Sequence, residues 1–316
     1  MSLISAHTRV DLNSEGAMPS WGVLAQALYG NPKMVSVAHW FAQVFIAEQP
    51  HRARSTSIFT TQQRWLLAHL AASLYCLEAT GRGGRLSLQT YVKAAVQHRI
   101  ASRNTARDFF LEIMKYDFSS SEAGIPYCAD MALATVPAHP SQRTRENMQM
   151  WYELHLTGLD MIDGKGRIGI FEEDPLGYMM IMQPLITEAL LTCPEVRMPG
   201  RAYALFSWVD EGGLLMDRLI AAIHPTVGFG EKTVPIDVVS VAELARGLNL
   251  SRVHAARVIR RAEEIGAVGW TGSRGRATMW VSRELREEYI YFQALKMVIV
   301  DFALSAAVDL RPFISG

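Results

Sequence analysis

The chain has 316 residues, 49% of them hydrophobic and 20% charged, with 31 basic and 31 acidic side chains. That is apolar material for an ample core and length for two domains, and a formal net charge of zero excludes a protein that coats nucleic acid indiscriminately while leaving room for a local basic surface. Cys76, Cys128 and Cys193 are odd in number and far apart; neither a disulfide framework nor a zinc spacing follows, and buried thiols in a reducing cytosol are expected.

Residues 1–19 have no apolar run long enough for a signal peptide and read as a loose arm. Apolar positions recur at helical spacing from Trp21 to Ala47, interrupted by Gly30-Asn31-Pro32; two helices are expected there. Gln49 to Ser57 reads as a connection. Thr61 to Ala79 is a strong amphipathic helix, ended by Gly81-Arg82-Gly83-Gly84.

From Arg82 through Arg107 there are six Lys or Arg residues and no acid. Thr90 to Gln97 is expected to be helical. A second helix follows Ser102, with Ala106, Phe109, Phe110 and Ile113 inward and Arg103, Asn104 and Arg107 on the other side. Asn104 suits either adenine recognition or a local helix cap. Asp108 and Glu112 fall on the same outer face. A hairpin is expected within Ser119 to Val136, with an acidic tip. A long helix follows over Gln142 to Leu159. Asp163 to Pro175, rich in Gly and acids, reads as a solvated domain boundary.

The second half is expected to hold helices over Tyr178 to Thr192 and Arg201 to Ile223, then a loop through Pro225 and Pro235. Val239 to Ser282 follows, VSVAELARGLNLSRVHAARVIRRAEEIGAVGWTGSRGRATMWVS, and it carries the functional signal. Ser240 with Glu243 three residues on has the spacing of a capping box. Ala245 is small where two helices cross, and Asn249 suits a turn that needs positive φ. Ser251 can cap a second helix, with Ala255, Val258, Ile259 and Ala262 inward and Arg252, Arg257, Arg260 and Arg261 outward. Gly266 ends it. Two strand-like runs flank a basic tip, Gly272-Ser273-Arg274-Gly275-Arg276. A last helix runs from Ser282 to about Ala307. Its apolar stretch, Tyr289 to Leu310, is interrupted by Gln293, Lys296, Asp301 and Asp309, and reads as a buried packing helix instead of a membrane span.

Val239 to Ser282 resembles winged helix-turn-helix transcription regulators, those of the MarR type most of all. GRATMWVS looks like that family's second wing strand; the tip departs from it, with Ser273 before Arg274 where the family has Asp. The resemblance implies that the second helix enters a major groove and the tip meets backbone or minor groove. Ser251, Arg252, Val253, Ala256, Arg257, Arg260 and Arg261 take the DNA-facing positions. Arg252 and Arg257 suit guanine edges; Arg274 and Arg276 suit phosphate or a narrow minor groove. The bland reading of the arginines is a solvated helix face, paired with Glu263 and Glu264.

The Ser-Arg pair at 251 lies 149 positions after the pair at 102, and each half runs helix, helix, helix-turn-helix, wing, long helix. Members of the resembled family are homodimers held by outer helices, so the expectation is a single-chain pseudo-dimer. The fold expected is mainly α: tandem winged helix-turn-helix domains with small β-wings and long outer helices, an N-terminal unit over 1–165 and a C-terminal unit over 166–316. The expected partner is double-stranded DNA, in transcription regulation in the cytoplasm, with no membrane, and the chain working as a monomer or a homodimer. A protein-assembly module of replication or segregation, and a small-molecule-responsive regulator with a pocket between outer helices, are the alternatives. The methionines around Met179 are expected as core filler, and His69 as a satisfied core residue. No HExxH, Walker loop, GxSxG or GxGxxG occurs, so neither enzyme activity nor a cofactor is expected.

Overall fold

The computed structural model describes residues 20–48, 60–121, 135–224, 230–238, 240–246, 248, 250–272 and 278–314. Among them the protein is mainly helical, with fourteen helices and five strands of three or four residues. The first half holds α1 (Trp21–Tyr29), α2 (Met34–Glu48), α3 (Gln62–Ala79), α4 (Leu88–Gln97), α5 (Arg103–Lys115), β1 (Ser119–Ser121), β2 (Ala138–Pro140) and α6 (Gln142–Asp163). Then come α7 (Arg167–Glu172), α8 (Pro175–Thr192), α9 (Pro194–Arg197), α10 (Arg201–Ser207), α11 (Gly212–Ala221), β3 (Thr233–Pro235), α12 (Val241–Ala245), α13 (Arg252–Glu264), β4 (Val268–Trp270), β5 (Met279–Ser282) and α14 (Arg283–Ile314).

Serine and threonine hydroxyls start many of these helices. Thr61, Ser87, Ser102, Ser141, Ser240 and Ser251 each accept the backbone N–H three residues on, satisfying a donor the helix itself leaves orphaned. Gly30-Asn31-Pro32 separates α1 from α2 as its composition predicts.

Two expectations need correction. The helix expected over Arg201 to Ile223 is two helices. Glu211 takes a left-handed conformation, φ 57°, and a side chain at Gly212 would overlap the Phe206 carbonyl oxygen; the chain turns there at the one residue that fits. The segment expected as a solvated linker holds α7, whose Arg167 is buried. Asp160 accepts the Arg167 and Ile168 backbone N–H groups at 3.0 and 2.9 Å and so anchors the start of that helix.

Helices of the first half pack on helices of the second. α1 and α6 both lie on α14, α2 lies on α11, and α3 lies on α8. The last two contacts are reciprocal: in each half the helix that precedes the serine-capped pair is covered by a helix from the other half. α14 runs through this assembly and buries Leu285, Tyr289, Leu295, Val300 and Ala303. The buried residues form one continuous core. Among the described residues α14 is the one helix long and apolar enough to cross a membrane by length and composition, over 283–311, and 72% of its apolar window is buried in the fold.

β1 and β2 pair antiparallel, Ser119 opposite Pro140. The second sheet has the order β3-β5-β4, also antiparallel, with Val268 opposite Val281 and Val234 opposite Val281 from the other side.

Candidate nucleic-acid interface

α13 is thirteen residues long and sharply two-faced. Ala255, Val258, Ile259 and Ala262 are buried, against α10, α12 and β4. The opposite face leaves Ser251, Arg252, Val253, Arg257, Arg260 and Arg261 exposed and Ala256 half-buried. Val253 is 79% exposed, more than any other large apolar side chain described. An aliphatic group held in water beside arginines is what a helix tip needs for contact with a base methyl or a partner.

The helix start is fixed by the Ser251 hydroxyl, which accepts from His254 N–H at 3.1 Å. Its end is fixed by Gly266, φ 73°, which lets Ala267 N–H reach the Ala262 carbonyl at 2.9 Å. α12 before it is capped by Ser240, whose hydroxyl accepts from Glu243 N–H at 3.2 Å. Arg218 of α11 donates to the Arg246 carbonyl at the end of α12. Ala245 is buried, as the close crossing requires. Asn249, Arg274 and Arg276 lie outside the described residues.

The charges on this face are weakly tied. Arg260 meets Glu264 at 3.5 Å with both side chains more than 60% exposed, a pair worth little in water. Arg257 reaches His254 Nδ1 at 3.0 Å. Glu263 accepts the Trp270 indole N–H at 2.6 Å. That bond also fastens β4 to α13.

α5 repeats this geometry. It too has thirteen residues, and its buried set, Ala106, Phe109, Phe110 and Ile113, falls at the same helix positions as that of α13. Asp117 takes the left-handed place of Gly266, φ 57°, and Phe118 N–H bonds the Ile113 carbonyl at 2.9 Å. Ser141 N–H bonds the Phe118 carbonyl, as Ser282 N–H bonds the Ala267 carbonyl, both at 2.9 Å. The capping serines Ser87 and Ser102 are 15 positions apart against 11 for Ser240 and Ser251, and α4 has ten residues against five in α12. Arg99, φ 53°, makes the turn for which neither Gly nor Asn stands in the sequence.

On α5, Arg103 and Asn104 are exposed and Arg107 is half-buried. Arg107 lies 3.6 Å from Asp108. Ser102 caps the helix, accepting from Thr105 N–H at 3.2 Å, so the cap role open to Asn104 is filled. Glu112 does not sit on the outer face as expected. It pairs with Arg64 of α3 at 2.7 Å. Two of the six cations from Arg82 through Arg107 have structural partners: half-buried Arg82 donates to the Met180 carbonyl at 3.1 Å, and exposed Arg85 to Glu78 at 3.2 Å.

β3 escaped the sequence reading; Thr233 and Val234 are its only strand-favouring signal. It extends the sheet behind α13 and holds β5 through Ile236 N–H to the Met279 carbonyl at 2.8 Å. Among the described residues no three His, Cys, Asp or Glu side chains gather as a metal site. No family model, no curated protein and no solved structure matches this chain.

Proposed function

We propose that the chain is a sequence-specific double-stranded DNA-binding protein, a transcriptional regulator built from two winged helix-turn-helix units in one chain and resembling the MarR type. The observation that carries this reading is α13: a serine-capped helix whose buried face is wholly apolar and whose outer face presents four arginines and one exposed valine. Such a helix docks in a major groove by its N-terminal half. Arg252 and Arg257 supply planar forks for guanine edges, and Arg260 and Arg261 meet phosphate.

The matching caps, turns and buried positions of α5 support a second reader, and the exchange of α2 and α3 onto α11 and α8 supports a pseudo-two-fold arrangement. The half-sites then lie roughly one helical turn apart. Arg103 matches Arg252, but Asn104 and Arg107 stand where α13 has Val253 and Ala256, so the site is asymmetric.

The test is fluorescence anisotropy of the full chain with duplex DNA from its own upstream region, across a salt series, for wild type, Arg257→Ala and Arg103→Ala. Tight binding with a steep salt slope, weakened by Arg257→Ala, is expected. Binding no stronger than non-specific, or affinity indifferent to both substitutions, would sink the reading and leave α13 as a protein-docking helix.

A further inference from the structure

Between α2, α3 and α6 lies a cavity of about 280 Å³. It is bounded at one end by Ile113 in the last turns of α5 and by Phe118 and Ser119 at the root of the first strand pair. Gln183 of α8 reaches it from the second half. Phe45, Trp65, Tyr75 and Trp151 are among its walls. Its size is near the lower end of the range for small-molecule sites, about 300–1,000 Å³. A core packed only for stability closes such a space, because each wall atom facing it forfeits dispersion contacts.

The polar groups at its edge form a chain with a fixed direction. The Tyr152 hydroxyl donates to Gln183 Oε1. Gln183 Nε2 then donates to His69 Nδ1 at 3.0 Å and to Thr187 at 2.8 Å. An amide nitrogen cannot accept, so His69 Nδ1 is the acceptor and its proton sits on Nε2. Burial, and then the nearby charge of Lys296, push the His69 pKa down to about 3. The ring therefore stays neutral, and Nε2–H has no hydrogen-bond partner among the described residues. His69 lines the cavity.

Among the described residues the lining holds no Lys or Arg and a single carboxylate, Glu48. An anion would meet Glu48 with no countercharge in the wall. A cation would feel Lys296, whose Nζ lies 5.8 Å from the centre of the Phe45 ring. We propose that the cavity binds a neutral, planar aromatic molecule of about two fused rings, whose single acceptor atom takes the His69 Nε2–H.

The bound molecule touches α6 through Trp151 and α5 through Ile113, so it fixes the angle between the α5 unit and the long helices. The effect on DNA rests on the function proposed above; the binding itself does not.

Three molecules of nearly one shape test this by calorimetric titration of the full chain: quinoline, neutral with a ring-nitrogen acceptor; 2-naphthoate, an anion; and N-methylquinolinium, a cation. Quinoline is expected to occupy one site per chain, and each ion to bind at least about ten-fold more weakly, a difference of about 1.4 kcal/mol. Ala72→Trp fills the cavity from α3 and Met150→Trp fills it from the more exposed α6 side; both are expected to lose quinoline while keeping the wild-type circular dichroism. Two wall substitutions keep the test alive if one fails to fold. No heat with quinoline, equal binding of the naphthoate, or undiminished quinoline binding in a folded Trp variant would overturn the assignment. Quinoline bound with DNA affinity unchanged would remove the regulatory link alone; DNA binding absent with quinoline bound would remove the DNA reading alone.

Discussion

Arg167 holds both carboxylate oxygens of Asp301, Nε at 2.6 Å and Nη2 at 3.1 Å, across 134 positions of chain. The same guanidinium grips both oxygens of Asp163, at 2.6 and 3.1 Å, and reaches Asp160 at 3.3 Å. One fork thus fastens α7 to the end of α6 and to the middle of α14. Burial alone would raise the Asp163 pKa; the hydrogen bonds from Arg167 and Lys165 outweigh it and hold that carboxyl below its ordinary value.

Arg167→Met is therefore expected to destabilise the protein by about 3 kcal/mol, the lower end for breaking a buried pair, since the Asp163 side chain keeps a third of its exposure. Asp160 and Asp301 then lose the guanidinium they share, and Asp163 keeps only the exposed Lys165 ammonium at 3.2 Å. Without Arg167 the Asp163 carboxyl loses the main group that holds it below its ordinary value, so the loss should shrink as pH falls from 7 to 5. Urea unfolding at both pH values measures it. A neutral or stabilising effect at pH 7 would show that the network is incidental.

Gly269 sits directly opposite Trp280 in the β4–β5 ladder, and the indole covers the place where a side chain would grow. Gly269→Ala must displace the ring, with an expected cost of about 1–3 kcal/mol. It also loosens the strand that Trp270 ties to α13, so under the function proposed above DNA affinity should fall with it. Gly213→Ala is the control: the space around Gly213 is open, and a helix gains from the exchange. Melting curves that rank the two variants equal would contradict this packing.

His69 and His155 are both held neutral. Burial and then the charge of Lys296 depress each, His69 to about 3. His155 donates Nδ1–H to the Trp151 carbonyl at 2.7 Å, and its Nε2 is buried without a hydrogen-bond partner among the described residues. Their folded pKa values lie below the unfolded ones, so stability is fully present above about pH 6.5 and is lost as pH falls, the unfolded chain binding the protons first. Each contributes a slope of up to about 1.4 kcal/mol per pH unit. His155→Phe should remove one of the two slopes between pH 6.5 and 5, read by urea unfolding at half-unit steps. An unchanged slope would mean that His155 is protonated in the fold.

Local chemistry was the legible part of this protein. The break at Gly30-Asn31-Pro32, the serine caps of α12 and α13 and the inward set of α13 are all written within a few neighbouring residues, and the repeat showed through the two Ser-Arg pairs. What was missed depends on partners far along the chain. α7 looked like a solvated turn because nothing near Asp163-Gly164-Lys165-Gly166 announces Asp301. β3 is a strand only because β5 lies beside it. The helix expected over Arg201 to Ile223 looked continuous because Trp208 and Val209 extend its apolar pattern up to the turn at Glu211. The α4–α5 turn was unreadable because Arg99 does what glycine or asparagine ordinarily does. For the proposed DNA face, α13 forms as a helix with its arginines outward, as its pattern predicts, while the inward turn of Glu112 toward Arg64 needed the position of α3.

Lys296 gives the last prediction. It is buried on α14, with its ammonium 5.8 and 5.7 Å from the ring centres of Phe45 and Phe292. His69 of α3 and His155 of α6 feel its charge, and Asp217 of α11 faces it as a countercharge. Burial lowers its pKa to about 8, with Asp217 opposing the shift. A lysine with a depressed folded pKa is charged in both states at pH 7. Above pH 8 the folded state sheds the proton while the unfolded chain keeps it until about 10.4, so stability rises with pH through that window. Cys76 and Cys193, pushed up by burial to about 12 and about 11, pull the other way from about pH 8.5, where unfolded thiols ionise, and the buried tyrosines Tyr91, Tyr152, Tyr203 and Tyr289, also raised by burial, add to that loss above about pH 10. Lys296→Met should therefore lose stability with pH between 8 and 9.5 more steeply than wild type, by up to about 1.4 kcal/mol per unit. Equal pH profiles for the two proteins in denaturant unfolding would place the Lys296 ammonium in water.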